Sequence, residues 1–445
     1  MRDWKAVLAS EQVRRVCADI AAVLVPLVFL VAVVGFVAGL AVLGLEIWTA
    51  WGADCDLAED CEARFSKART AALIFVAFLG APFVIWRVVE QSRQVNINQQ
   101  SHYTELFTRA VEQLGADKVV EKDGVKETER NIEVRLGAIY ALERVMHDSK
   151  RDAGPIIETL SAYVRENCGK PVQLAEEELP QREDFADLGE WGRAVGEAWK
   201  KAVPADAPAN KADVQAALAV LNRRPIYALP KDRNDRTNRP DLTGANLQRI
   251  VLNDKGIVEA ELFMARLQGA LLKGAKLRGA NLSRAKVQGA HLYNVLMQGA
   301  NLRHAQLQGA DFGSARLQGA NLTSAELQGA DLSFARLQGA NFVGAQLQGA
   351  VFAISQLTGA NLSKADLRDA NIIGAELRGA ALWCDLSTVE FDQLEIDNQL
   401  AEAFGHQTKT KLPDGVKAPA HWSKADYMEG FYEEWLAHKA SLGIK

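Results

Sequence analysis

The chain has few cysteines and almost no net charge. Its 51 Lys and Arg nearly balance 56 Asp and Glu, so the net charge of −5 indicates no particular partner. Of only five cysteines, Cys55 and Cys61 alone are closely spaced. Without a nearby His or a further Cys they make a poor metal site, and we predict a disulfide that closes a small loop. Cys17, Cys168 and Cys384 are expected to be isolated thiols.

The sequence also lacks the motifs of the common enzyme classes. It contains no Gly-rich phosphate loop, no HExxH zinc motif and no Ser or Cys in a nucleophile setting. The polar cluster from Glu143 to Asp152 is typical of a charged helix surface, and His147 within it has no second His at ligand spacing. We therefore predict no catalytic, cofactor-binding or metal-binding residues. Catalysis in the helical middle of the chain is the alternative.

Two apolar runs predict a membrane anchor. The uncharged run Ile20 to Leu45 has 26 residues, enough at about 1.5 Å per residue to cross a bilayer core of roughly 30 Å. Thr70 to Trp86 has 17 residues, and a buried or interfacial helix is the alternative there. Lys and Arg flank the pair, whereas the loop 46–69 carries six acidic and three basic residues. The positive-inside rule then places both termini in the cytoplasm and the loop outside.

The middle of the chain is predicted to be mostly helical, because apolar residues recur there at helical spacing. The expected elements are a helix from Val88 that ends at Gly115, a loop over Asp117–Arg130, and helices over Asn131–His147, Asp152–Asn167 and Lys211–Asn222. The two helices on either side of residue 150 should form an antiparallel hairpin. Between residues 169 and 210 we expect a linker with a helix near Trp191.

What the sequence has in abundance is a five-residue repeat. From Pro240 to Cys384, 29 consecutive pentads have an apolar centre, mostly Leu, and Ala precedes the centre by two residues in 24 of them. Neither a helix, with its period of 3.6, nor a strand, with its period of 2, gives this spacing, so the chain must turn every five residues. The predicted repeat core includes Leu282, Leu302, Leu322, Leu332 and Leu362.

Pentads such as Ala280–Arg284 and Ala320–Ser324 resemble the pentapeptide-repeat family, with a small residue, Asn or Asp, Leu and two variable residues. The resemblance implies a right-handed quadrilateral β-helix with four pentads per coil, and so about seven coils stacked about 4.8 Å apart. Flanking segments, among them Arg135–Arg144 and Ala403–Gly405, resemble parts of bacterial membrane-associated members. The predicted fold is therefore this β-helix, preceded by an α-helical cytoplasmic module and an N-terminal two-helix transmembrane hairpin in a bacterial inner membrane.

These elements divide the chain into five predicted segments. They are a membrane anchor (1–90), a helical module (91–168), an acidic and Pro-containing linker (169–239), the β-helix (240–384) and a C-terminal cap and tail (385–445). A helix over Val389–Phe404 is expected to close one end of the stack. Ile250 and Lys255 occupy inward small positions, which predicts a bulge or an incomplete first coil, because a buried unpaired Lys is costly.

Two alternating types of pentad predict columns of like residues along the stack. The Asn column contains Asn281, Asn301, Asn321, Asn341 and Asn361; one Gln column contains Gln288, Gln308, Gln328 and Gln348, and another Gln298, Gln318 and Gln338. Stacked amides can bond between coils, so we interpret these columns as structural rather than as a ligand site. Lys276, Arg316 and Arg336 share a further column, the candidate interaction stripe, for which a solvated face is the alternative.

The leading functional hypothesis is a membrane-anchored scaffold that presents a rigid β-helix to an unidentified protein partner. Association into a homo-oligomer is a further hypothesis. The family's best-known members bind type II topoisomerases by imitating DNA, which gives the alternative hypothesis. Between Pro240 and Cys384, however, 14 Lys and Arg face 10 Asp and Glu, a net charge of +4, whereas a DNA imitator should be strongly negative. No aromatic residues interleave with this charge, so nucleic-acid binding is not expected either.

Overall fold

The computed structural model describes residues 58–123, 125–203, 212–229, 238–248, 250–391, 400–425 and 427–444. The chain divides into two compact units, Met1–His102 and Tyr103–Lys445. In the first unit the described element is helix α1, Ala58–Leu114, which continues into the second unit.

The predicted apolar run Thr70–Trp86 is helical throughout, since it belongs to α1. The longer run Ile20–Leu45 lies outside the described residues, as do Cys17 and Cys55, and the side chain of Cys61 is not described. Among the residues that the structure describes, no helix is both long enough and apolar enough to cross a membrane.

A β-hairpin follows α1 where the sequence predicted a loop. Strand β1, Asp117–Lys122, pairs antiparallel with β2, Val125–Arg130. The connecting turn begins at Asp123, which has a φ of 49°, and Asp followed by Gly favours such a two-residue turn. The loop prediction was wrong because the strands' many charged residues suggested a solvated segment.

Five further α-helices and two short strands lie in the described part of the second unit. They are α2 (Ile132–Asp148), α3 (Ala153–Asn167), α4 (Leu188–Ala202), α5 (Ala212–Asn222), β3 (Ala381–Leu382), β4 (Phe404–Gly405) and a C-terminal helix α6 (Met428–Ser441). Helices α2, α3 and α5 confirm the sequence prediction to within one residue at each end. They pack on one another through buried Ile139, Leu142, Leu160 and Leu218.

Residues 241–391 form a β-helix of stacked coils. Parallel bridges join residues 20 apart, from Asp241 with Glu261 to Asn361 with Ala381, so each coil contains four pentads as predicted. Within a pentad the chain turns through a bond such as that from the Ala285 amide to the Leu282 carbonyl, 3.0 Å. The five Leu side chains of the predicted repeat core are each at most 2% exposed.

The first coil is regular, so the predicted bulge was wrong. Residues 250–264 make the same turns and bridges as later coils, and Ile250 is fully buried. Lys255 has an exposed side chain although it occupies a small position, which avoids the cost of burying its charge.

The β-helix also continues past Cys384, so the predicted helix over Val389–Phe404 was wrong at its start, although Leu400 and Ala401 are helical. Bridges join Asp366 to Asp385 and Asn371 to Glu390, and Phe391 is buried. The spacing of these bridges is 19 residues instead of 20, so the last coil is one residue short and its repeat is hard to see in the sequence. Residues 392–399 lie outside the described part, and Phe404 belongs to β4, which pairs with β3.

An ion pair attaches the C-terminal segment to this last coil and predicts an acid-sensitive contact. Partial burial raises the pKa of Asp385, but hydrogen bonds from Lys411 (2.7 Å) and Ser387 outweigh it and lower the pKa from 3.8 to about 2. This carboxylate therefore stabilises the fold above pH 4, and that contribution should disappear as the pH falls from about 4 to 2. Asp385→Asn should remove this pH dependence from the thermal unfolding of the C-terminal segment.

The matched control is Asp414→Asn, at an exposed carboxylate of the same segment. It should leave the pH profile of unfolding unchanged. Equal profiles for the wild type and Asp385→Asn between pH 4 and 2 would contradict the prediction.

Candidate interaction surface

Helix α4, which confirms the helix predicted near Trp191, lies along one corner of the β-helix. This covered corner consists of the turns Gln268–Gly269, Gln288–Gly289, Gln308–Gly309, Gln328–Gly329 and Gln348–Gly349. Three glycines of α4 face it. Any Cβ on Gly189 or Gly192 would overlap backbone atoms of Gly349 or Gln328, and on Gly196 it would lie 2.8 Å from Gly309 Cα.

The spacing of these glycines follows from two standard dimensions. Stacked strands are about 4.8 Å apart and a helix rises 1.5 Å per residue, so a helix parallel to the stack meets a new coil about every 3.2 residues. Gly189, Gly192 and Gly196 are separated by three and four residues, which matches that interval. The helix therefore contacts successive coils with its backbone.

Apolar side chains and hydrogen bonds hold the same segment in place. Val195, Trp199 and Val203 are buried together, and Val172 packs against them. Arg193 donates to the carbonyl of Gly349 at 3.2 Å. Because of this cover, the Gln side chains of the covered corner are only 3–8% exposed.

The Gln columns stack as predicted, but their amides bond diagonally. Gln288 Nε2 donates to Gln306 Oε1 at 3.0 Å, and Gln328 Nε2 to Gln346 Oε1 at 2.6 Å, in each case to a residue 18 further on. A bond along a column occurs from Gln248 to Gln268, 3.2 Å. The amide oxygen of Gln328, like that of Gln288, is buried without a partner.

The Asn column is confirmed, although its amides chiefly close local turns. Bridges join Asn281, Asn301, Asn321, Asn341 and Asn361 in order. The Oδ1 of Asn321 accepts from the Thr323 amide at 3.1 Å, and most others bond two residues ahead in the same way. The bond from Asn301 to Asn281, 3.1 Å, is a direct link between coils. Local turn formation therefore explains the Asn better than an amide ladder does.

Among the described residues, a second Gln–Gly corner has no such cover at two of its middle coils. This open corner consists of the turns Gln318–Gly319 and Gln338–Gly339. A Cβ at Gly319 or Gly339 would meet no atom within 4 Å. At the C-terminal end of the same edge, Gly359 and Gly379 pack against Ile444 instead.

The candidate interaction stripe flanks the open corner. Bridges place Lys276, Leu296, Arg316, Arg336 and Gln356 in one column, as predicted, and we call this the basic column. The side chains of Lys276 and Arg336 are exposed and that of Arg316 is partly exposed. Among the described residues, none of these three charges forms an ion pair. The basic column is thus a surface of unneutralised charge.

A polar network in the helical module was not anticipated from the sequence. Tyr163 Oη donates to the fully buried Asp213 at 2.5 Å, and Arg135 donates to Asp117 at 2.7 Å. Burial, together with the Asp213 bond, raises the pKa of Tyr163 to about 12. Burial likewise raises the pKa of the Cys168 thiol to about 12. Tyr163 and Asp213 join α3 to α5, and Arg135 joins α2 to the hairpin, beside a groove of about 660 Å³ that includes Tyr163 and Arg135.

The polar cluster that ends α2 forms structural contacts. Glu143 pairs with Arg223 at 2.7 Å, and the backbone carbonyl of His147 accepts from Tyr227 at 2.9 Å. Within the described ranges, no group of three or more His, Cys, Asp or Glu is arranged to hold a metal ion. Cys384 is also unpaired and buried, and burial raises its pKa.

Comparison with known proteins agrees with the four-sided stack. The model for pentapeptide repeats matches in eight copies, over residues 260–299, 275–313, 315–353 and 355–383. The chain is similar to HetL, a pentapeptide repeat protein involved in heterocyst differentiation regulation in the cyanobacterium Nostoc sp. strain PCC 7120. That match has 28% identity, covers 40% of this chain and 86% of HetL, and has a TM-score of 0.23.

Two other solved structures show the same likeness. A second pentapeptide repeat protein from Nostoc is 34% identical over 27% of this chain and 80% of its own, with a TM-score of 0.13. QnrB1, a plasmid-mediated fluoroquinolone resistance protein, is 18% identical over 42% of this chain and 91% of its own, with a TM-score of 0.28. No curated protein matches the chain.

Five-residue turns, four to a coil around an Ala and Leu core, define a quadrilateral β-helical solenoid. The chain belongs to the pentapeptide-repeat family, whose members fold as right-handed quadrilateral β-helices. Its α-helical module precedes the β-helix, as the sequence predicted.

Proposed function

We propose that this protein is a non-catalytic scaffold whose β-helix binds a protein partner through the basic column. The observation that carries the proposal is the uncovered row of Lys276, Arg316 and Arg336, which lack ion pairs among the described residues. A stacked β-helix holds such charges at fixed spacing, so little ordering is required when a partner binds. Charges arranged in this way favour an acidic partner and fast association.

We further propose that the scaffold is anchored in a bacterial inner membrane with the β-helix on the cytoplasmic side. The 26-residue apolar run at 20–45 and the flanking Lys and Arg support this topology. In α1, the neighbouring side chains Phe83, Val84, Ile85 and Trp86 are 48–63% exposed. Such an apolar segment of helix favours contact with lipid or with another helix.

The DNA-imitating alternative has no support from the charge of the β-helix. The fluoroquinolone resistance protein QnrB1 shares the repeat, but its 18% identity carries no function to this chain. The repeat region here has a net charge of +4, opposite in sign to a duplex imitator.

Reversing the charge of the basic column should strongly reduce capture of the partner. We expect the double variant Arg316→Glu and Arg336→Glu to recover about tenfold less crosslinked partner from native membranes, because it places like charges opposite an acidic surface. Quantitative mass spectrometry after crosslinking measures the loss, and it also shows whether the partner is another protein or a second copy of this chain.

The matched control is Lys364→Glu, an exposed charge reversal at another corner of the β-helix. It should leave capture unchanged. A chain without residues 1–90 should leave the membrane fraction yet keep its partner. Equal capture by the double variant and the control would overturn the proposed interaction, and persistent membrane association of the truncated chain would overturn the anchor.

A further inference from the structure

We propose that the open corner is a docking groove for a helix of the partner protein. The contact face of that helix would carry Gly or Ala at every third or fourth residue, and its flanks would carry Asp and Glu. This inference rests on the proposed scaffold function and names the chemistry of the partner at the same surface.

The covered corner shows what such a surface binds. There the turns Gln328–Gly329 and Gln348–Gly349 contact the backbone of α4 at Gly192 and Gly189. Because the turn glycines lack side chains, a helix can approach the stack closely and gain contact along its whole length. A larger residue on the facing side of the helix would overlap the β-helix backbone.

The open corner repeats this sequence without the helix. Leu317–Ala320 and Leu337–Ala340 both read Leu-Gln-Gly-Ala, identical to Leu327–Ala330 under α4. The Cβ positions at Gly319 and Gly339 face open space. These two turns are stacked about 4.8 Å apart, which corresponds to about one turn of helix.

At the C-terminal end of the β-helix, the edge that contains the open corner already packs against another part of the chain. Ile444 contacts Gly379 and Gly359, the turns that continue the open corner. A partner helix that docks on Gly319 and Gly339 would therefore extend an existing contact surface.

The charge beside the open corner distinguishes its occupant from α4. Five stacked segments form this edge of the β-helix, namely 276–279, 296–299, 316–319, 336–339 and 356–359. Together they contain four basic residues, Lys276, Arg278, Arg316 and Arg336, and no acidic residue. Beside the covered corner, by contrast, the strand columns include Glu326 and Asp331, and α4 ends in two Lys. The open corner thus complements an acidic helix, whereas the covered corner accepts one with a basic end.

A synthetic helix provides a direct probe. The peptide copies residues 186–203 but has Arg193, Lys200 and Lys201 replaced by Glu, and a side-chain staple on the outward face keeps it helical. We expect saturable binding to the detergent-solubilised full chain in fluorescence anisotropy. Gly319→Phe with Gly339→Phe should weaken binding by about tenfold or more, since bulky side chains would fill the groove.

The control places the same substitution on a different corner, as Gly344→Phe. Gly344 and Gly339 have φ values of 66° and 65°, so the backbone strain is similar. The fold accepts large residues at this turn position, because Phe334 occupies it with a φ of 59°. Circular dichroism should show all variants folded, and binding of the probe to Gly344→Phe should equal that of the wild type.

A second peptide tests whether binding requires acidic residues on the helix. A stapled peptide with the unmodified α4 sequence should bind about tenfold more weakly than the acidic probe at low salt. Absence of saturable binding, or equal binding to the Gly339 and Gly344 variants, would overturn the docking groove. If partner capture still depended on Arg316 and Arg336, the scaffold proposal would stand without it.

Discussion

Replacing Gly192 by alanine should detach α4 from the β-helix and lower the free energy of unfolding by about 2–4 kcal/mol. A methyl group at this position would overlap the carbonyl of Gln328. The obstacle is the backbone of a stacked turn, where the Gln328 carbonyl accepts from the Gly309 amide and the Gly329 amide donates to Gln348, so it cannot move without breaking bonds to the coils on either side. The helix must therefore lift, and Val195 and Trp199 would lose their buried contacts.

Two measurements can detect the detachment of α4. Trp fluorescence should shift to longer wavelength as Trp199, now 7% exposed, enters solvent, and protease should cleave α4 in the folded protein. The matched control is Gly137→Ala in α2, where a Cβ would meet no atom within 4 Å. That change should stabilise the protein by up to about 1 kcal/mol through helix propensity. Similar stability for both variants would show that α4 does not depend on its glycine contacts.

The pentads made the coil predictable because their period is enforced by one physical requirement. Every centre, such as Leu322, must point inward, and every turn must return the chain to the same edge. A residue's column then follows by counting in steps of 20, which correctly placed Arg316 above Arg336. The candidate site could therefore be located from sequence to the level of a column.

What covers each column could not be predicted in this way. Helix α4 contains three glycines, which lower intrinsic helix propensity, and its binding corner lies 66–161 residues away in sequence. The open and covered corners also share their local sequence, so no pentad indicates which of them is occupied. That difference depends on where the segment between the helical module and the β-helix can reach.

The Gln and Asn columns could be predicted from the sequence, but the hydrogen bonds of their amides could not. Position in a column fixes which Gln are neighbours, but side-chain length fixes which atoms meet. The amide of Gln308 reaches Glu326 at 2.6 Å, and not the next Gln of its own column. Asn is shorter and tends to bond its own turn, which is the usual competition between side chain and backbone.

The largest single loss of stability is expected from Phe352→Ala, at about 3–5 kcal/mol. Phe352 is fully buried, and its ring meets that of Phe342 edge to face, with centroids 5.9 Å apart. Removing it deletes transfer free energy and leaves a cavity that the surrounding coils cannot fill, because their backbones are fixed by bonds on both sides.

The effect should also be local, since each coil of a solenoid contacts only its neighbours. Hydrogen exchange should show lost protection at Leu332 and Ile372, one coil away on either side, and little change at Leu272, four coils away. Phe334→Ala is the control, because that ring is 58% exposed on the same β-helix, and its stability should change by no more than about 0.5 kcal/mol. If Phe352→Ala removed protection equally from all coils, the β-helix would unfold as one cooperative unit, and its rigidity as a scaffold would depend on every coil at once.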